Sequence, residues 1–301
     1  MKTVMMGAQA ILLGDAEIVV AGGMESMTNA PYLLPQARSG YRMGNGTLID
    51  MMIHDGLWDP YNNCHMGACG DQTSAEENFT RAEIDNYAAE SYTRSLSAQT
   101  AGKFSLEISP VTIPQRKGDP IMFTDDEEPG RGNISKLPEL RAAFSKEGVT
   151  TAGNASSIND GGAAMILASG EAVEKHGLKP IGKVVAYSQH AQEPTKFTTA
   201  PASAIKKLLE KQSLTVNDVD LFEVNEAFSI VPMYVMRELA ISHEKMNVNG
   251  GAVSIGHPIG MTGTRLLITA LHELRRREAK YAIASPCIGG GEATAVLIEA
   301  L

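Results

Sequence analysis

Cysteine is scarce in this 301-residue sequence, where Cys64, Cys69 and Cys287 are the full complement. So few thiols cannot build a disulfide scaffold, and they point to a reducing compartment. Also lacking is any apolar run near the ~20 residues that cross a bilayer, which argues against a membrane-spanning protein. Basic residues are outnumbered, 26 Lys and Arg against 35 Asp and Glu, leaving a net charge of −9 and a pI near 5.3. That balance argues against nucleic acid as the main partner. No part of the chain is short of Leu, Ile, Val and Met, so long disordered stretches are not expected. What is present is ordinary globular composition, 43% hydrophobic and 20% charged, at a length that suggests about two domains.

Residues 2–13 read KTVMMGAQAILL and are apolar on nearly every side. A helix apolar all round belongs in a core, whereas chain ends are usually exposed. The stretch lacks the arginines and serines of a transit peptide, and no clear secretory cleavage site precedes Asp15-Ala16-Glu17. It is read as an interior helix whose preceding residues are absent from the sequence.

Beyond it, residues 17–21 form a short apolar run closed by Gly22-Gly23, the pattern of a buried strand. Residues 24–158 change character, rich in Gly, Pro, Asn and Asp, with a helical pattern over 81–101 and an acidic, turn-rich stretch over 119–132 read as a solvated loop. Regular alternation returns from Gly162. Strands are expected at 163–168, 182–187, 220–224, 246–255, 281–284 and 293–298, and helices at 203–211, 227–240 and 261–277. Such alternation implies an α/β protein with crossover connections. A faint repeat runs through it: helix, Asp15-Ala16-Glu17, strand, Gly22-Gly23 and Glu25 echo helix, Glu278-Ala279-Lys280, strand, Gly289-Gly290-Gly291 and Glu292. Two related α/β halves with an insertion in the first account for that echo.

Three segments at strand ends carry side chains suited to chemistry, where α/β sheets place their sites. Asn225-Glu226-Ala227-Phe228 sets an amide at a strand-to-helix elbow, able to hold a water or an oxyanion; an ordinary helix cap explains Asn225 equally well. Gly256-His257-Pro258 heads a helix, where a neutral imidazole suits a base near neutral pH, or a structural histidine. Cys287-Ile288-Gly289-Gly290-Gly291 places a thiol beside exposed amides, as nucleophile, acid/base or simply a buried cysteine.

Taken in order and spacing, these segments resemble the C-terminal signatures of the thiolases, most closely the acetyl-CoA acetyltransferases. Ala21-Gly22-Gly23-Met24-Glu25-Ser26-Met27, His65-Met66-Gly67, Asn154-Ala155-Ser156 and Asn159-Asp160-Gly161 extend the resemblance along the whole chain. It implies two similar mixed-sheet halves with an inserted loop domain. Residues 1–23 and 159–169 would be an incomplete first half, 24–158 the loop domain and 170–301 the second half. It implies a two-step reaction, in which a cysteine takes the acyl group as a thioester and a second acetyl-CoA attacks it as a carbanion; degradation runs in reverse. His257 resembles the base that activates the nucleophile and polarises the thioester, and Cys287 the acid/base at the α-carbon. Asn225 resembles the residue holding an oxyanion-hole water, and the Gly289 amide half of a second oxyanion hole. The acyl-accepting cysteine lies, in the family, in a Cys-Ala-Ser-Gly stretch directly before the Met-Lys that opens this sequence, so it has no counterpart here.

For coenzyme A, the resemblance implies contacts from Arg131 and Lys136 to the nucleotide, from Ser156 to the pantetheine arm, and from His65, Tyr92 and Phe228. It also implies a potassium site from Tyr92, Ala152, Gly153, Ala155 and Val253, Gly153 standing where mitochondrial members have alanine. A zinc site from Cys64, His65 and Cys69 is discounted, because ligands on adjacent residues fit poorly. Family members imply a homotetramer, and mitochondrial ones a mitochondrial location; no transit peptide is seen, so a cytoplasmic location is expected if this sequence is the whole product. The competing expectation is a catalytically dead thiolase remnant that binds coenzyme A or joins a hetero-oligomer with full-length paralogues. Gly70-Asp71 and Glu292 depart from the family pattern and have no assigned role.

Overall fold

In the computed structural model, which describes Met1–Leu301, one long helix lies between two sheets. The elements that position the site begin with α1 (Lys2–Leu12), β1 (Ile18–Ser26), β2 (Trp58–Asp59), β3 (Cys64–His65), α2 (Met66–Glu76) and α3 (Arg81–Thr100). They continue with β4 (Asp160–Ala168), β5 (Gly182–Ala191), α4 (Ala200–Gln212), β6 (Leu221–Val224), α5 (Ile230–Leu239), α6 (Ala252–Ile255) and α7 (Ile259–Arg277). Strands β7 (Tyr281–Ser285), β8 (Cys287–Ile288) and β9 (Glu292–Ala300) close the chain.

Strands β1 and β4 make an antiparallel ribbon, Ile18 opposite Ala168 and Ser26 opposite Asp160. The larger sheet runs β6-β7-β9-β8, with β5 also on β9. Only β6 and β7 are parallel, and the crossover between them carries α5, α6 and α7. Helix α7 fills the space between the ribbon and the large sheet. Its Leu266, Leu267, Ala270 and Leu274 share one core with Met1, Val4 and Met5 of the α1 region and with Leu221, Ala282, Val296 and Ile298 of the strands. Helix α4 covers the opposite face of the large sheet through Ile205 and Leu208. The periodicity of α7, apolar at 266, 267, 270, 271 and 274, is what fits it to a two-sided slot.

Several sequence expectations change in the folded chain. Residues 246–255 are not a strand: two isolated bridges, Phe222 to Met246 and Val248 to Gly250, are followed by the short α6. Asn247, at φ 43°, gives its side chain to the backbone of Val224, accepting from the N–H at 2.9 Å and donating to the carbonyl at 2.8 Å, and so replaces a neighbouring strand. Helix α1 is buried on one face only, through Val4, Met5 and Gly7, while Met6, Leu12 and Leu13 are exposed. Strand β1 runs through Gly22-Gly23 rather than ending there. A side chain at Gly22 would overlap the Ala163 carbonyl and one at Gly23 the Gly260 carbonyl, so these glycines permit close packing of β4 and α7. The acidic stretch holds strand Ile121–Phe123, paired with Val111–Ile113, and the short helix Glu128–Arg131. Helix α3 forms as expected, started by a capping box between Thr80 and Glu83.

Candidate active site

The two parallel strands end side by side, and the chemistry-bearing segments leave from those ends. Asn225 extends the β6 ladder by one step, its N–H donating to Ser285 O at 3.1 Å. After β7 the chain passes Pro286 into Cys287, and after α6 it passes His257-Pro258 into α7. His257, Cys287 and Gly289 come together on the wall of one cavity of about 420 Å³. Asn225, fully buried behind them, places Nδ2 3.2 Å from His257 Nε2.

The imidazole is held from both ends. Thr262, in the first turn of α7, donates its hydroxyl proton to Pro258 O at 2.9 Å and lies 2.7 Å from His257 Nδ1. The hydroxyl therefore accepts from Nδ1–H, which leaves Nε2 with its lone pair toward Asn225 and the cavity. Burial, with the nearby Arg265 charge, lowers the His257 pKa to about 4, so the ring is neutral at working pH. Protonation would also set Nε2–H against the Asn225 amide hydrogens. Burial pushes the Cys287 thiol the other way, up to about 12. Two groups remain free. Asn225 Oδ1 is buried without a donor, and the Gly289 N–H donates to no protein group.

The walls come from distant segments. His65 stacks on Phe144 at 4.5 Å, Phe144 meets Phe228 edge-on at 6.1 Å, and Phe197 meets Phe228 at 6.3 Å. Ser156 lines the cavity with its hydroxyl donating to Ala227 O at 3.1 Å. Met66 packs so closely on Gly289 that any side chain there would overlap its Cε. Met1, at the head of α1, reaches the same wall and fills the space over Gly263.

Arg131 and Lys136 are exposed and outside the cavity lining; Arg131 pairs with Glu127 and Glu128. Tyr92, Gly153 and Val253 gather instead around Leu137, on the far side of Ala155, which does line the cavity. Cys64 and Cys69 line none of it.

The sequence reading missed three supporting side chains. Thr262 is one. Asp71, left without a role above, accepts from the N–H groups of Val149 (3.0 Å) and Thr150 (2.8 Å) and from Ser145 Oγ (2.9 Å), fixing the loop that carries Phe144. Glu226 accepts from Tyr87 Oη (2.8 Å), Ser91 Oγ (2.7 Å), Asn247 Nδ2 (2.8 Å) and Val253 N–H (3.1 Å), tying the Asn225 elbow to α3 and α6. The signal for Asp71 and Glu226 was a carboxylate in an otherwise apolar or small-residue setting, which is costly to bury unpaired.

The family models for the thiolase N-terminal and C-terminal domains match residues 1–171 and 178–300. An acetyl-CoA acetyltransferase of Chromobacterium violaceum is 47% identical over 300 residues, covering 99% of this chain and 76% of the relative. Acetyl-CoA acetyltransferase 2 of Arabidopsis thaliana is 48% identical, covering 100% of this chain and 75% of the relative. Among solved structures, a thiolase of Ascaris suum in complex with coenzyme A superposes with a TM-score of 0.94 at 43% identity, over 100% of this chain and 76% of that one. The chain thus spans about three quarters of the length of these relatives, and the cavity with its imidazole, thiol and free amide lies within the part they share. It belongs to the thiolase family.

Proposed function

We propose that the chain carries the acid/base and coenzyme A-binding part of an acetyl-CoA C-acetyltransferase, the enzyme of condensation of two acetyl-CoA molecules or thiolysis of acetoacetyl-CoA and other 3-ketoacyl-CoA; the acyl-accepting thiol of that reaction is not among the cysteines at the cavity. The observation that carries this is the meeting, at one cavity, of a neutral imidazole, a high-pKa thiol and an unused amide. His257 Nε2 is the base that takes a thiol proton, and once protonated it donates to a thioester oxygen. Cys287, a weak acid with a strong conjugate base, gives its proton to a departing coenzyme A thiolate and then removes the α-proton of acetyl-CoA. Asn225 Oδ1, buried without a donor, is the acceptor for a water that completes one oxyanion site. The Gly289 N–H faces a second; such donors are typically worth roughly 2.7–4 kcal/mol each.

Coenzyme A is the acyl carrier in this reading, with Ser156, His65 and Phe228 along the pantetheine arm and Tyr92, Arg131 and Lys136 toward the nucleotide. Potassium fits the segment beside it: the carbonyls of Ala152, Gly153 and Ala155 accept no hydrogen bond, and Tyr92 and Val253 are close by. When bound, the ion would supply positive charge that orders residues 152–156. In place of the alanine methyl at Gly153 stand the Leu137 and Leu140 side chains. Residues 1–23 with 159–169, 24–158 and 170–301 are read as first half, loop domain and second half of the thiolase fold, within a homotetramer located in mitochondria.

A second reading, a coenzyme A-binding or hetero-oligomer partner without turnover, is favoured by one observation: neither Cys64 nor Cys69 reaches the cavity. Deuterium exchange into the methyl group of acetyl-CoA in D2O tests the acid/base half of the site. Exchange that depends on Cys287 and rises with pH, as the thiolate of a group titrating near 12 is populated, supports the catalytic reading. Binding of coenzyme A with no exchange above buffer would favour the partner.

A further inference from the structure

We propose that Asp59, Cys64 and Cys69 form a binding site for a thiophilic divalent cation of the zinc class, separate from the acyl-transfer cavity. The adjacency of Cys64 and His65 discounts them as ligands of one ion, and the fold agrees about His65. Its Nδ1 accepts from Gly67 N–H at 3.0 Å and its ring stacks on Phe144 in the cavity wall. The fold supplies a different third ligand. Pairing of β2 with β3 sets Asp59 opposite Cys64, and the first turn of α2 brings Cys69 back to both.

The geometry suits a metal. The two Sγ atoms are 3.7 Å apart. Two sulfurs at a zinc–sulfur distance of about 2.3 Å subtend an edge of about 3.8 Å in a tetrahedron. A carboxylate oxygen of Asp59 lies within 4.8 Å of both sulfurs. That carboxylate is already oriented: it accepts from the N–H groups of Tyr61 (2.9 Å) and Asn62 (3.3 Å) and from Asn62 Nδ2 (2.7 Å), the outer hydrogen bonds that ligating carboxylates use. Yet no ion pair in the structure includes it, although Asp59 is only 2% exposed. A buried carboxylate beside two thiols is a place with excess acceptor character and no cation. Cys69 is equally enclosed at 1%, while half-buried Cys64 leaves an entry path.

Binding is balanced by proton release. Two S–H bonds break, two metal–sulfur bonds form, and two protons pass to the buffer. Affinity therefore rises with pH. The cation would staple the β2–β3 hairpin to α2, and His65 and Met66, which lie between the two sulfur ligands, would be fixed on the cavity wall.

The test is titration of the reduced 301-residue chain with Cd2+, reading the thiolate-to-cadmium charge-transfer band and proton release. One equivalent with a two-thiolate band is expected, lost in Cys64→Ser and kept in Cys287→Ala. Asp59→Asn, which preserves an acceptor for the backbone N–H groups, should keep the band but weaken binding beyond the ~10–100-fold that an outer hydrogen bond contributes. A band that survives Cys64→Ser, an Asp59→Asn chain that binds as tightly as the parent, or no stoichiometric band with a native circular dichroism spectrum would each overturn the site.

Discussion

Acidification should destabilise this protein through His257 in a way that can be isolated. The ring is half-buried on the cavity wall, its Nδ1–H is taken by Thr262 and its Nε2 faces an amide donor, so the folded state resists a second ring proton. Its pKa is about 4 in the fold against 6.5 for an unperturbed histidine. Because the folded value is the lower one, the contribution is fully present above 6.5 and is lost as pH falls from there toward 4, where the unfolded chain binds a proton that the folded chain refuses. A gap of that size corresponds to at most about 3–4 kcal/mol, at about 1.4 kcal/mol for each pKa unit. Typical domains have only about 5–15 kcal/mol in total, so the effect is measurable. Urea unfolding followed by circular dichroism, at steps from about pH 7 to about pH 4.5, should show the parent losing stability faster than His257→Asn. Burial also lowers the pKa of His65, His243 and His272, but those terms are common to both proteins and cancel in the difference. Curves that fall in parallel, within about 0.5 kcal/mol, would refute the neutral ring.

Thr262→Val removes the acceptor for Nδ1–H; 15N NMR should show the parent as the Nδ1–H tautomer and the variant losing that preference, with about 1–3 kcal/mol of stability lost, whereas Thr262→Ser should behave as the parent. Asp71→Ala strands the N–H groups of Val149 and Thr150, so amide exchange over 144–150 should accelerate and coenzyme A affinity fall, while exchange in α7 stays unchanged; equal protection in that loop would show that Asp71 does not hold it. Thiolysis of acetoacetyl-CoA by this 301-residue chain should be negligible, since no cysteine but Cys287 reaches the cavity. Turnover within about tenfold of a complete thiolase, abolished by Cys64→Ala or Cys69→Ala, would show the nucleophile to be misplaced.

Much of the site was legible because its parts sit at strand ends with local signals: an amide after an apolar run, a histidine between Gly256 and Pro258, a thiol before a glycine turn. Helix α3 was legible from the helical spacing of its apolar residues. The stretch 246–255 was not, because its apolar residues read as a strand while the structure is decided by one side chain, Asn247, occupying the backbone of Val224. Asp59 and Asp71 were equally hidden. Each has neighbours that only tertiary pairing brings near, Cys64 across a hairpin for Asp59 and Val149 from 78 residues away for Asp71. The one-sided burial of α1 was misread for a related reason: composition reports how apolar a helix is, not how many neighbours the fold provides for it.

The place of α7 between the two sheets ties chemistry to architecture. His257 stands at the head of that helix, Thr262 is in its first turn and Arg265 in its second, while Leu266, Leu267 and Leu274 fill the central core. Repacking the middle of the molecule therefore moves His257, so the placement of that ring is tied to the core. Other parts of the cavity wall have no such constraint. Leu57, His65 and Phe144 sit on a short helical turn, a hairpin and a loop outside the two main sheets and α7. Substitutions along those segments therefore reshape the cavity wall without entering the central core, whereas any substitution that moves His257 must also repack α7.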